Sequence, residues 1–393
     1  MTITLHRGAD QIGGSIVEIS TAGTRILLDA GCELDALATA KAPEAITNNK
    51  YNAVLFSHNH LDHYGLAGQL RHGTPLYMGA GAYNILQAAA RYKGAPLNFA
   101  CNTFRSGEEI IVGDLTVTPF LVDHSAFDAH MLHVSDGNET TLYTGDFRST
   151  GRKSFDAFLR RLPQVDTLIC EGTTLGRGSA RFDREVEFEK KVTELMRANA
   201  PVFILQASTN IDRLVTMYRA AKRTGRLFLQ ELYMAEIATA AGKTIPNPHD
   251  FSDVRVFIHR PYDAEHFRYK LLREYGRSRI GKTQIVKERF AMCVRSSMGN
   301  YLKSLSRDMS FEGGVLIYSM WSGYKRQPQT NEFLRLCEEL GLTVVDVHTS
   351  GHADADAIVA LIERVKPKKI IPIHTENAAW FYENYPDLTK GTM

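Results

Sequence analysis

Six positions, His58-Asn59-His60-Leu61-Asp62-His63, constrain this chain more than any other stretch: three imidazoles and a carboxylate crowd onto the segment that leaves the apolar run Ala53 to Phe56. That run is short and wholly apolar, which predicts a buried β-strand. The four candidate ligands therefore sit on the loop leaving a strand. Imidazole and carboxylate together suit zinc or another borderline divalent ion, and a cluster without thiolate favours a hydrolytic site over a closed cysteine site. With 14 histidines in 393 residues, H-x-H-x-D-H is rare by chance.

Other strands deliver similar chemistry. Thr116 to Val122 leads to Asp123-His124, Thr141 to Thr144 to Gly145-Asp146, Thr167 to Cys170 to Glu171, and Ile370 to Ile373 to His374. One such ending is commonly a turn carboxylate or a surface histidine. The recurrence is what predicts a site gathered from distant sequence at one edge of the sheets. His58, His60, Asp62, His63, His124, Asp146 and His374 together suffice for two divalent ions with Asp146 bridging. Asp29, ending the run Thr24 to Leu28, reads equally as a turn cap or as a carboxylate that orients metal ligands.

Further along, the expected order is a hairpin of Ile16 to Ile19 and Thr24 to Leu28, a short linker Pro43 to Asn48, and helices over Leu66 to His72 and Ala80 to Tyr92. The chain changes character after Gly172. Strands at Pro201 to Gln206, Arg226 to Gln230 and Val254 to Ile258 alternate with helices at Glu185 to Asn199 and Ile211 to Arg223. That alternation predicts an α/β unit with a parallel sheet over about 180 to 340. Ser208-Thr209-Asn210 is a helix N-cap cluster. Val315 to Ser319 runs into Met320-Trp321-Ser322-Gly323-Tyr324, whose rings suit either base stacking or burial.

The length allows two or three folding units, and no window approaches the ~18 uninterrupted apolar residues of a membrane span. Five widely spaced cysteines lack any Cys-x-x-Cys pair, so a soluble protein of the reducing cytoplasm is expected. Net charge is only +2, but from Ala221 to Ser310 17 lysines and arginines face 9 aspartates and glutamates. That excess suits a polyanion or a solvated helical face, Phe267 to Tyr275 being amphipathic.

The ordered set L-L-D-A-G (Leu27 to Gly31), H-x-H-x-D-H, D-H-S (Asp123 to Ser125), T-G-D-F-R (Thr144 to Arg148), C-E-G-T (Cys170 to Thr173), S-G-H-A-D (Ser350 to Asp354) and P-I-H-T-E (Pro372 to Glu376) resembles the β-CASP metallo-β-lactamase nucleases, RNase J and its relatives above all. The resemblance spans the chain. It implies an α/β fold: an αββα metallo-β-lactamase sandwich over 1–178, an inserted α/β β-CASP domain over 179–340, and a return with an RNA-metabolising segment over 341–393. It assigns His58, His60 and His124 to one zinc and Asp62, His63 and His374 to the other, with Asp146 bridging and manganese admitted in place of zinc. Glu171, His352 and His374 match the three β-CASP motifs. His374, where DNA-acting relatives tend to carry valine, favours RNA. Two departures stand out: the chain ends soon after His374, without the further C-terminal domain common in RNase J, and Trp321-Ser322-Gly323-Tyr324 is not the loop sequence of that group.

The implied activity is hydrolysis of RNA phosphodiesters by a hydroxide shared between the two metals, giving 5′-phosphate and 3′-hydroxyl ends, by exonucleolytic attack from the 5′ end, endonucleolytic attack, or both. Asp62, Glu171 and His352 are the expected catalytic groups, with His352 passing a proton to the leaving oxygen. Ser208, Asn210, Arg213, Ser350, Gly351 and His352 are expected to bind substrate, their donors cradling a terminal phosphate. The partner is RNA, single-stranded, and a homo-oligomer is allowed. A DNA nuclease of the same fold and a non-catalytic RNA-binding subunit are the competing readings; a small-molecule hydrolase conflicts with the long insertion and its basic charge.

Overall fold

The computed structural model describes residues 1–36, 39–176, 184–198, 200–260 and 263–391. The 178/179 boundary and the last residue of the expected helix Glu185 to Asn199 lie outside these. Two compact units result. One comprises Met1–Leu86, Leu97–Phe182 and Gly351–Met393, the other Gln87–Pro96 and Asp183–Ser350.

In the first unit, β1 (Thr2–Arg7), β2 (Ile16–Ser20), β3 (Arg25–Leu28), β4 (Ala53–Phe56), β5 (Leu76–Gly79) and β6 (Asn102–Phe104) form one sheet in that order. β7 (Ile110–Val112), β8 (Leu115–Leu121), β9 (His130–Ser135), β10 (Thr140–Tyr143) and β11 (Thr167–Glu171) form the second, with β19 (Lys369–Ile373) beyond β11. Alternation along each strand decides which face meets which layer. Ile26, Leu28, Ala53 and Leu55 join Leu132, Val134, Tyr143, Ile169 and Ile371 in one core between the sheets. Leu27, Val54 and Phe56, pointing the other way, pack with Ala82 and Leu86 of the helix Ala80–Lys93. The outer face of the second sheet carries Leu142, Leu168 and Cys170 against Ile358, Leu361 and Val365 of the helix Ala355–Val365. Helices thus cover both outer faces of a sandwich, and β4 reads as unbroken apolar sequence because both its faces are buried.

The second unit is a seven-stranded, wholly parallel sheet. β12 (Val202–Gln206), β13 (Leu227–Gln230), β14 (Val254–Phe257), β15 (Arg279–Ile280), β16 (Phe290–Val294), β17 (Gly314–Ser319) and β18 (Leu342–Asp346) take the order β15-β14-β13-β16-β12-β17-β18. Apolar cores lie on both faces. β18 pairs with β17, Gly314 to Tyr318 opposite Leu342 to Asp346, and residues up to Ser350 group with this unit.

Several local expectations shift. The linker Pro43 to Asn48 contains a helical turn, Glu44–Asn48, and Leu66 to His72 forms only a 3-10 turn, Ala67–Gln69. Gly68 there lies against the Asn98 side chain, where a Cβ would come within 2.2 Å. The helix Glu185–Ala198 is half interior, burying Phe188, Val192 and Met196. Among the described residues, no helix is long and apolar enough to cross a membrane.

Candidate metal centre

Parallel strands end at a common edge, and this places the site. In the second sheet β10, β11 and β19 run parallel, and β8 runs with them because both it and β10 are antiparallel to β9. Their C-terminal ends carry His124, Asp146, Glu171 and His374. β4 of the facing sheet supplies His58 and His60, then a single helical turn, Leu61–Tyr64, carries Asp62 and His63. That turn is stapled to the exit of β3: Ala30 N–H donates to His63 O (2.8 Å) and Cys32 N–H to Leu61 O (3.0 Å). Gly31 makes the staple feasible, since a Cβ there would fall 1.7 Å from the Asp62 carbonyl oxygen.

Ligand atoms of His58, His60 and His124 lie within 4.8 Å of one another, as do those of Asp62, His63 and His374. Asp146 stands beside both groups: Oδ2 is 3.7 Å from His58 Nε2, 3.9 Å from His124 Nε2 and 3.2 Å from His63 Nε2, and Oδ1 is 3.8 Å from His374 Nδ1.

The surroundings fix which nitrogen each ring presents. Asp29 is fully buried and accepts from Ser57 N–H and Oγ–H (2.7 Å each), from the Tyr143 hydroxyl (2.6 Å) and from His63 Nδ1 (2.7 Å). A carboxylate can only accept, so His63 carries its proton on Nδ1. Ser57 Oγ–H being spent on Asp29, its oxygen accepts from His58 Nδ1 (3.0 Å). His124 Nδ1 donates to Gly351 O (2.5 Å). Thr173 Oγ–H goes to Glu171 Oε2 (2.6 Å) and leaves its oxygen to accept from His374 Nδ1 (2.9 Å). Four imidazoles are thereby turned with bare Nε2 atoms inward.

Two of those inward atoms lack a hydrogen-bond partner among the described residues. His58 Nε2, His63 Nε2 and both Asp146 oxygens are buried without a hydrogen bond among the described residues. His374 Nε2 faces Asp62 Oδ2 at 3.2 Å, lone pair towards carboxylate, and His124 Nε2 faces His60 Nδ1 at 3.2 Å. Each orphaned buried polar atom costs about 1–3 kcal/mol, so such a convergence suits a cation between its members. The donor set fits divalent metal. The charges of the rings differ: burial, then the neighbouring imidazoles, holds His58 well below the ordinary imidazole range, so it is neutral and ready to ligate. Without metal, burial opposes charge on Asp146, but protonated His374, His63 and His352 outweigh it and keep the carboxyl well below its usual range. Against the burial of His63, Asp146, Asp29 and Asp62 in turn raise it well above the ordinary imidazole range, so a bound cation would displace the His63 Nε2 proton.

His352 stands at the rim, 22% exposed, with Nδ1 3.2 Å from Glu171 Oε2 and 3.6 Å from Asp146 Oδ2. Burial works against its charge, yet Glu171 and Asp146 raise it to about 9. Glu171 is fully buried and also accepts from Phe147 N–H (2.8 Å). The structure thus gathers His58, His60, Asp62, His63, His124, Asp146, Glu171, His352 and His374, with Asp29 behind His63. Gly351 accepts from His124.

Ser208, Asn210, Arg213 and Ser350 belong to the second unit. Ser208 is buried there, Asn210 caps a helix by accepting from Arg213 N–H (3.0 Å), and the buried Arg213 guanidinium is paired with Glu185 (3.1 Å) over the Phe188 ring. Ser57, Tyr143 and Thr173, which orient ligands, escaped the sequence reading. Tyr143 and Thr173 each stand within three residues of a predicted ligand or acid, the one signal that could have found them.

Residues 24–193 match the family profile described as "Beta-lactamase superfamily domain", and residues 339–381 match "Zn-dependent metallo-hydrolase RNA specificity domain". Together these cover more than half of the chain, and the second brings the RNA-metabolising motifs beside the first. The chain belongs to the β-CASP metallo-β-lactamase family, RNase J-like branch. It is a metallo-hydrolase of that family. Similar curated proteins include transcription termination factor FttA of Methanothermobacter thermautotrophicus, 24% identical over 100% of this chain and 70% of that protein. Ribonuclease J of Sinorhizobium meliloti is 22% identical over 83% of this chain, which spans only 58% of that protein's length. A crystal structure of a protein of unknown function from Enterococcus faecalis V583 superposes with a TM-score of 0.74 at 22% identity, over 96% of this chain and 94% of the other, and so shares the fold.

Proposed function

We propose that this β-CASP protein is a metal-dependent ribonuclease that hydrolyses RNA phosphodiesters to 5′-phosphate and 3′-hydroxyl ends. The carrying observation is the convergence of bare ligand atoms from His58, His63, His124 and His374 around the unpartnered Asp146 carboxylate. His58, His60 and His124 would hold one divalent ion and Asp62, His63 and His374 a second, with Asp146 shared. Bound there, the ions supply Lewis acidity: a stronger nucleophile at neutral pH and compensation for charge on the phosphate oxygens. Zinc suits this nitrogen-rich donor set.

The protein's own groups do the rest. Asp29, Ser57 and Thr173 hold the imidazoles in the ligating tautomer. Asp62 adds the negative charge that a second cation requires. His352, oriented by the fully buried Glu171, is placed at the rim to give a proton to the leaving 3′-oxygen. RNA rather than DNA is supported by the RNA-specificity profile over 339–381 and by ribonuclease J among the relatives.

His60→Ala and Asp146→Ala should leave RNA uncut while circular dichroism and thermal midpoint report an intact fold. Cleavage at the wild-type rate by either folded variant would sink the ligand assignment.

A further inference from the structure

The turn after β17 is built to present rings. Trp321 and Tyr324, 51% and 40% exposed, are among the few large apolar side chains left on the surface. Their centroids lie 5.5 Å apart with planes at 87°, so the pair forms a corner. Exposed aromatics on a floppy loop would mean little, but this loop is held. Tyr318 donates its hydroxyl to Trp321 O (3.0 Å), Tyr324 N–H donates to Trp321 O (3.1 Å), and Gln327 N–H to Tyr324 O (3.1 Å) before Pro328 opens the next helix. The Trp321 ring rests against Gly323, where any Cβ would come within 2.3 Å of the ring carbons. Gly323 is therefore what lets the indole lie down.

Charge beside the rings is positive. Lys325 pairs with Asp346 (2.6 Å) and sits 4.8 Å over the Tyr318 ring, so its charge is largely answered. Arg326 is exposed and has no carboxylate partner among the described residues. Two pre-positioned rings at a corner, with the exposed Arg326 two residues further along the chain, suit a flat, unpaired base attached to a phosphate. A hydrophobic protein partner would be served by a broader apolar surface than these two rings.

We infer that Trp321 and Tyr324 form a stacking platform for an unpaired nucleobase of single-stranded RNA, with Arg326 on the adjoining phosphate. The inference rests on the ribonuclease reading for its choice of polymer, and it adds a binding element on the second unit that the metal centre does not include. Stacking is sequence-tolerant, so the platform would hold any unpaired stretch.

The chain has only two tryptophans, so indole emission reads the contact directly. Full-length protein in excess chelator, which prevents cutting, is titrated with oligouridylate and with the matching abasic ribose-phosphate oligomer. Oligouridylate should quench the emission and the abasic oligomer should not. Trp321→Ala should lose the quench and weaken binding about ten-fold, Trp321→Phe should lose the quench yet bind within about three-fold of wild type, and Gly323→Ala should weaken binding by displacing the ring. Folding of each variant is checked by its thermal midpoint. Wild-type affinity in Trp321→Ala, or equal quenching by the abasic oligomer, overturns the platform. The two readings fail separately: RNA cut by metal-loaded protein with affinity unchanged in Trp321→Ala removes only the platform, whereas quenching with no cleavage by metal-loaded wild type removes only the ribonuclease.

Discussion

Replacing Asp29 by asparagine exchanges one oxygen for an NH2 group at the point where four hydrogen bonds meet. At Oδ1 the new donor would face the Ser57 N–H, which cannot turn away. At Oδ2 it faces the Ser57 and Tyr143 hydroxyls, which can rotate, and His63 Nδ1. The second placement costs less, and it makes His63 Nδ1 an acceptor. The ring proton then moves to Nε2, the atom that must be bare to ligate. Orienting partners of ligating histidines are commonly worth 10–100-fold in metal affinity, or about 1.4–2.7 kcal/mol. The loss should be largest for the ion held by His63, Asp62 and His374, with a smaller one at the ion held by His58, whose Nδ1 bonds the same Ser57 hydroxyl. Zinc titration against a competing chelator should show one equivalent weakened by that factor and the other by less, in a protein whose urea midpoint moves little. Two equivalents bound at wild-type affinity would refute the tautomer argument.

Gly31→Ala drives a Cβ into the Asp62 carbonyl and should cost about 3 kcal/mol together with bound metal, read by thermal shift and metal analysis. Glu171→Gln keeps the shape but removes the charge beside His352, so kcat on RNA should fall about 100-fold in single-turnover assays run at saturating metal, which offsets any loss of affinity relayed through Thr173 to His374. Burial, with Arg295 and Arg260 nearby, lowers His259 to about 4. Because the folded value lies below the ordinary one, its contribution is intact above about pH 6.5 and fades as pH falls towards 4. Urea unfolding in chelator should therefore show wild type losing about 1–3 kcal/mol more than His259→Asn over that window.

The strand ends were legible because a buried strand is a run of apolar residues and a ligand that follows it breaks the run abruptly. This is why Asp123-His124, Asp146, Glu171 and His374 could be named alongside His58 to His63. The parallel sheet of the second unit was readable for the same reason, and the helix Ile211–Arg223 has the predicted limits. Tyr143 and Thr173 were not readable, because a hydroxyl that bonds Asp29 114 residues away or orients the His374 ring 201 residues away leaves no local pattern, and a serine beside His58 carries no signal of its own. The strands Phe290–Val294 and His130–Ser135 were passed over too, the latter because its histidines mask an otherwise buried run. Sequence alone leaves Asp29 between two roles, and the distances place it behind His63. Trp321 was left open between burial and exposure, a choice that only the packing around Gly323 could decide.

The central claim is that this site cuts RNA through bound metal. The most direct measurement is digestion of end-labelled RNA bearing 5′-monophosphate, triphosphate or hydroxyl termini, with metal analysis on the same preparation and Asp146→Ala beside it. Wild type that carries zinc should cleave, lose cleavage on chelation and regain it on re-addition, and Asp146→Ala should not cleave. Folded, zinc-loaded wild type that leaves every RNA intact, or Asp146→Ala that cuts as wild type does, would contradict that claim.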